Sequence, residues 1–321
     1  MTEPTVTDSD PSPRTAWDRF FFEPQSPSPM ALVRIAWGLV SAVWALSLLP
    51  DVDPFLTDGA MRYDRGRGAG SWNPLDWIDW SQAPLVTTVL LLVAGLATAV
   101  GYRTRLASAV SALSMIALLR TNTTIFNSGD LVLRQIGVAV ALASAGLVLS
   151  LDARRTRGSL LPSPAVLRAP WALRLLQLQV AVGYALSAWA KLRGPSWHDG
   201  TALAQALRIE DLQRLTPPEW LFEQNVVLNL LTWSTLAFEA SFAFLVWNRR
   251  LRPWVLGLGA AFHLGIDVFF DVGFFSIAMW IAYLAFIPPD VADRWVAWIA
   301  RTLRLESAPS AAVPLAVEPA E

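Results

Sequence analysis

Residues 189–200 read WAKLRGPSWHDG and hold Lys191, the only lysine among the 25 cationic side chains of the chain. Arginine stays protonated in proteins. A desolvated lysine can present a neutral amine and so act as a general base. A second reading of Lys191 is a cation that closes an apolar run at an interface. Other ionisable groups fall inside long apolar runs: Glu239 in TLAFEASFAF, His263, Asp267 four residues later, and Arg134 with Asp130 four residues before it. Residues four apart share one helix face. Two arrangements follow. Either local pairs form, Asp130 with Arg134 and His263 with Asp267, or Arg134, Lys191, Glu239, His263 and Asp267 meet in one polar cavity. Each buried charge needs a partner, and taken together the five residues favour the cavity. Arg34 and Arg174 lie near the ends of their runs and read as snorkelling cations.

The elements that position these residues follow from composition. Of the 321 residues 54% are hydrophobic and 16% charged, and mean hydropathy is +0.41. Soluble domains carry about 25% charged residues, so a membrane protein is expected. A helical span needs roughly 20 apolar residues. Eight candidate runs lie near 30–49, 84–100, 106–120, 131–151, 171–190, 226–247, 254–270 and 274–289. The fold class is therefore an all-α polytopic membrane helical bundle of about eight transmembrane helices. The basic clusters GYRTR, DARRTR and NRRLR all fall on the side of the N-terminus, which by the positive-inside rule gives an N-in, C-in topology. Lys191 then stands at the outer end of the fifth span. Heavy use of Ala, Arg, Val and Leu fits a GC-rich bacterial source and a multi-pass protein of the bacterial plasma membrane.

Four segments are expected: a disordered N-terminus over 1–16, a transmembrane domain over 17–290, a cytoplasmic helix over 291–305 and a disordered tail over 306–321. The first residues lack an apolar core and do not read as a secretory signal. WNPLDWIDW at 72–80 reads as an interfacial segment, and the 16 tryptophans suit an aromatic belt. With no cysteine, disulfides and thiol chemistry are excluded. The net charge of −1 disfavours nucleic acid as a partner. Two histidines on separate segments make no zinc site. GLGAAF at 257–262 lies inside a run and reads as helix packing, and RGRGAG at 65–70 lacks the P-loop lysine.

The stretch VGYALSAWAKLRGPSWHDGTAL at 182–203 resembles the motif after a membrane span in vitamin K-dependent gamma-carboxylases and the related bacterial horizontally transferred transmembrane domain (HTTM) proteins. RFFFEPQSPSPMALVRIAWG resembles the family's opening segment, FNSGDLVLRQIGVAVAL its central polar loop and following span, and GAAFHLGIDVFFDVGFFSIAMWIAYLAFIPP its late histidine-containing span. The resemblance covers about residues 17–290. It implies an apolar cavity for reduced vitamin K or menaquinol. In the carboxylase branch a lysine deprotonates the quinol, dioxygen reacts, and the alkoxide formed removes a proton from a glutamate side chain that then takes up carbon dioxide, leaving quinone epoxide. By motif position Lys191 would be that base, His263 would line the same cavity, and Trp197 and Gly200 match the segment after the lysine. Arg134, Trp197, Glu239 and Asp267 are the cofactor-binding candidates, and no metal is expected. The carboxylases carry a large extra-membrane domain after the spans. This sequence closes at Glu321, so protein carboxylation by such a domain is not expected. One branch of the family resembles a toxin-maturation protein that helps to process a secreted peptide.

Three functions follow: a quinol-dependent carboxylase or oxidoreductase using Lys191, a membrane partner in secreted peptide or toxin maturation without quinone chemistry, and a transporter. The last ranks lowest, because no inverted repeat or paired broken helices are visible.

Overall fold

A computed structural model describes residues 15–57, 72–78, 80–122 and 124–305. Most of the expected N-terminal segment, all of the tail after 305, and RGRGAG with its arginines lie outside the described residues. The described chain is helical, with no strand and only two isolated bridges, Gln25 with Arg168 and Gln213 with Phe270. The principal helices are α1 (Ala16–Phe22), α2 (Ser28–Leu48), α3 (Ala83–Val100), α4 (Thr104–Thr121), α5 (Ser128–Leu142), α6 (Leu151–Arg157), α7 (Trp171–Lys191), α8 (Asn225–Leu245), α9 (Arg252–Phe269), α10 (Phe275–Leu284) and α11 (Pro289–Thr302). Each of the eight apolar runs contains one of them.

Their outer faces are as apolar as their inner ones. Leu39, Val43 and Leu46 on α2, Val89 and Val93 on α3, Val182 and Leu186 on α7, and Leu230 and Phe244 on α8 are all exposed. Water would not support such a surface, whereas a bilayer requires it. The protein is a membrane helical protein. Ser28–Leu56, Ala83–Val100 and Asn225–Leu245 are each long and apolar enough to cross a membrane. The α10–α11 pair, bent by 108°, adds a fourth if it forms one broken span. Of the remaining helices, α1, α5 and α6 are too short, whereas α4, α7 and α9 carry polar residues, several of which point inward: Ser108 and Ser111 on α4, Gln177 on α7 and His263 on α9 are buried.

Small residues set a tight crossing between α2 and α3. A Cβ on Gly38 of α2 would lie 2.6 Å from the Ala99 nitrogen and 2.8 Å from the Gly95 carbonyl of α3. This is the close backbone approach that small residues permit between membrane helices. Trp37 Nε1 donates to the Leu133 carbonyl at 2.8 Å, and Trp44 Nε1 donates to Asp130 at 2.7 Å, which fixes α5 against α2. Asp130 also accepts from the Asn127 backbone N–H at 2.9 Å, closing a capping box at the start of α5.

Two expectations change. The run at 131–151 is not one helix. α5 stops at Leu142, Ala143 is extended, and 145–147 form a 3-10 turn. Arg34 explains this break and does not snorkel. Its side chain is fully buried, and Nη2 donates to the carbonyl of Leu149, which has φ +45°. The α3–α4 turn closes over it at Gly101, whose φ is +70°. An added Cβ there would stand 2.4 Å from Arg34 Nη1 and 2.2 Å from Ser150 Cβ. Asp152 then caps α4, accepting from the Thr104 N–H at 2.6 Å, its hydroxyl at 2.7 Å, and the Arg103 N–H at 2.9 Å. Arg174, half-buried, donates to the Phe20 carbonyl at 3.1 Å and holds α1 on α7.

α10 has ten residues, about 15 Å of helix, or half a bilayer core. Pro288 and Pro289 end that direction and start α11, whose buried face of Ala292, Val296 and Ala300 packs on Leu32, Val148 and Leu160. Its opposite face exposes Trp295 and Trp298, as in a helix lying at an interface.

Candidate functional site

The last turn of α7 carries Lys191 on the same face as Ser187, one turn back, and Tyr184, two turns back. Lys191 Nζ donates to both oxygens of Glu239 at 2.6 Å and to Ser187 Oγ at 2.8 Å. The Lys191 side chain is 22% exposed and that of Glu239 7%. The Trp197 ring lies 5.1 Å from Nζ, within cation–π range. Trp197 is presented by the short helix Pro195–His198, which starts directly after Gly194.

The pairing depends on a stagger. Lys191 ends its helix, yet Glu239 lies well inside α8. α8 therefore runs past the end of α7, and its N-terminal turns pack on the following loop. Trp233 Nε1 donates to the His198 carbonyl at 3.2 Å, the Leu203 N–H donates to Thr232 Oγ1 at 3.2 Å, and a Cβ on Gly200 would meet Asn229 at 2.9 Å. Gly200, at φ +75°, is the residue type such a turn and close approach require.

A second polar group lies beneath. The Tyr184 hydroxyl bonds His263 Nε2 at 2.7 Å and also contacts the Tyr283 hydroxyl. All three residues are buried. Phe242 lies 4.1 Å and Phe238 5.7 Å from the Tyr184 ring, centroid to centroid. Gly259 makes room for Tyr283, since a Cβ there would lie 2.5 Å from its hydroxyl. Ser276 Oγ donates to the His263 carbonyl at 2.9 Å and joins α10 to α9. His263 Nδ1 is buried without a hydrogen-bond partner among the described residues.

The structure thus brings together Lys191, Glu239 and Trp197, with His263 in the hydroxyl chain below them. It places Asp267 elsewhere, 3.2 Å from Arg214, which also reaches Asp271 at 3.2 Å. Asp267 therefore does not pair with His263. It helps to clamp the 210–214 segment on the end of α9, where the Arg214 N–H donates to the Phe269 carbonyl at 3.0 Å. Arg134 does not pair with Asp130, whose oxygens are taken by Trp44 and the α5 cap. It lines a separate cavity of about 360 Å³ between α4, α5 and α7.

Sequence reading missed Tyr184, Tyr283 and Ser187. A signal was available: the chain has only 4 tyrosines, and Tyr184 and Lys191 stand seven residues apart on one helix face. Tyr283 carried no comparable signal, because its role depends on how α10 packs.

Chemically, the first group is a lysine hydrogen-bonded to a buried carboxylate. The second is a hydroxyl–imidazole chain able to donate or accept a proton. Among the described residues no group of three or more His, Cys, Asp or Glu side chains could hold a metal ion. No curated protein and no solved structure matches the chain. The family model for the HTTM domain matches residues 22–291, a stretch that contains both polar groups and all the helices from α2 to α10, and the chain belongs to the HTTM domain family.

Proposed function

We propose that this protein is a quinol-dependent membrane oxidoreductase or carboxylase in which Lys191, poised by Glu239, is the proton acceptor. The HTTM family is associated with gamma-carboxylase-like proteins. The observation that carries the reading is the contact of the only lysine with both oxygens of a buried glutamate. The proposal also includes the eight-span, N-in and C-in arrangement in a bacterial plasma membrane, supported by the three basic clusters on one side.

The residues present fit a prenyl quinol. The Trp197 face, 5.1 Å from Lys191 Nζ, suits its ring. Buried His263 Nδ1, without a partner, suits one of its oxygens. Lys191, Glu239, Trp197 and His263 would hold it. When bound, the quinol would supply a hydroxyl proton and, on oxidation to its epoxide, the four electrons that reduce dioxygen to the epoxide oxygen and water. Glu239 first takes one ammonium proton across the 2.6 Å contact, which leaves the pair neutral. The freed Lys191 lone pair then accepts the hydroxyl proton. The pair finishes as an ammonium beside a carboxylic acid, with one positive charge to balance the negative charge left on the substrate. The Tyr184–His263–Tyr283 chain holds the ring end of the site in place.

The test supplies reduced menaquinone or vitamin K hydroquinone, oxygen and bicarbonate to protein purified in detergent, with mass spectrometry of the quinone product. Wild type is expected to form epoxide. Lys191→Arg keeps a cation for Glu239 but cannot release its proton, and is expected to form none. Wild-type product no higher than a no-protein control, where a known carboxylase works, would overturn the proposal and favour a partner role in secreted-peptide maturation.

A further inference from the structure

The cavity of about 360 Å³ between α4, α5 and α7 is not explained by the Lys191 site. Arg120, in the last turn of α4, and Arg134 with Gln135, in the second turn of α5, line one end, Leu142 at the end of α5 lines the other, and α7 contributes Gln179 and Leu175. Arg134, Gln135 and Gln179 are half-buried in helices of the bundle, and their side chains have no hydrogen-bond or ion-pair partner among the described residues. Arg120 uses only Nε, donating to the Trp72 carbonyl. Polar groups at membrane depth otherwise find partners. Here two guanidinium groups converge with most of their donors unused.

From Arg134 to Leu142 is eight residues of α5, about 12 Å of helix. The walls along that length include Ile116, Val138 and Leu176. The cavity therefore has a doubly cationic, donor-rich mouth and an apolar interior. We propose that it binds one anionic phospholipid of the surrounding membrane, with Arg120 and Arg134 on the headgroup phosphate and an acyl chain lying toward Leu142. Charge complementarity selects this occupant. A guanidinium pair matches a phosphate carrying net negative charge. A zwitterionic lipid offsets the same phosphate with its own cation. A neutral prenyl quinol would leave both arginines uncompensated.

The experiment is native mass spectrometry of the full chain released from nanodiscs containing equal phosphatidylglycerol and phosphatidylcholine. Wild type is expected to retain one phosphatidylglycerol over phosphatidylcholine by roughly tenfold, as two charge-assisted contacts would give. Arg120→Gln with Arg134→Gln should abolish the preference, and circular dichroism checks that this variant is folded. Val138→Trp, which fills the groove and leaves both charges in place, should abolish retention by a second route. Equal retention of the two lipids, a preference that survives both variants, or retention of menaquinone in place of phospholipid would each overturn the assignment. None of these results bears on epoxide formation at Lys191.

Discussion

Arg34 and Lys191 are both cations on long helices of the bundle, and they are held in opposite ways. Arg34 is fully buried and bonds a backbone carbonyl, with Nε and Nη1 unpartnered. It joins the α3–α4 turn to the segment after α5, and its partner accepts no proton. Lys191 is partly exposed and bonds a carboxylate on another helix. Its partner can take a proton and return it. The first arrangement is a packing device built from an always-protonated group. The second is a charge pair whose proton can move, beside a second polar chain. Buried cations in this protein are thus distinguished by their acceptors, and depth alone would have ranked Arg34 first.

The largest effect expected from breaking the comparison lies at the pair. Removing Lys191 alone leaves the Glu239 carboxylate buried and unpaired, a loss of about 3–5 kcal/mol. Lys191→Met combined with Glu239→Leu removes both charges and should recover most of that stability, within about 1 kcal/mol of wild type. Thermal unfolding in detergent of the two single variants and the double variant measures this coupling. Purely additive losses would show that the contact does not matter.

Next comes Gly101→Ala, which places a methyl group against Arg34 and Ser150 at a left-handed residue. Overpacking and strain together should cost about 2–4 kcal/mol. Activity per folded molecule should not change, because the site at Lys191 is untouched. Equal loss of stability and specific activity would mean that the two regions are coupled.

The smallest effect concerns Asp152, at the α4 cap beside the Arg34 turn. Burial pushes its carboxyl up, but bonds from Thr104 and Arg103 and the nearby Arg155 guanidinium outweigh this and hold it below the usual aspartate range. Folding lowers the value, so protonation favours the unfolded chain. The stability from this cap is full above the ordinary aspartate value and is lost as pH falls through the lower folded one. Asp152→Asn should cost about 1 kcal/mol near neutral pH and flatten the acid limb of a stability profile. An unchanged acid limb would remove Asp152 from the cap.

Topology sharpens the same contrast. The chain has no cysteine, so each introduced cysteine reports alone. Cysteines at 155 and 250 should react only from the inside, and one at 208 only from the outside. Labelling of 208 and 250 from the same side would contradict the eight-span arrangement.

The sequence made the membrane character legible because both faces of its helices must be apolar, and the helix positions followed from the length of the runs. Lys191, Glu239 and His263 were legible as charges that apolar runs do not tolerate without a reason. Their grouping was only partly so. Glu239 reaches Lys191 because α8 overshoots α7, and a stagger between helices distant in sequence leaves no local pattern. Asp267 sits one turn from His263, so a local pair was expected. Arg214, 53 residues away, takes it instead. Arg34 near the end of its run predicted an exposed head. The fold of 145–150 over it is a tertiary feature that periodicity does not encode.

The most direct measurement is quinone epoxide formation by the Lys191→Met, Glu239→Leu double variant beside wild type, at matched folded protein. A proton-passing pair gives epoxide from wild type and none above the no-protein control from the stable double variant. Epoxide from the double variant at the wild-type rate would contradict a role for this pair in the chemistry.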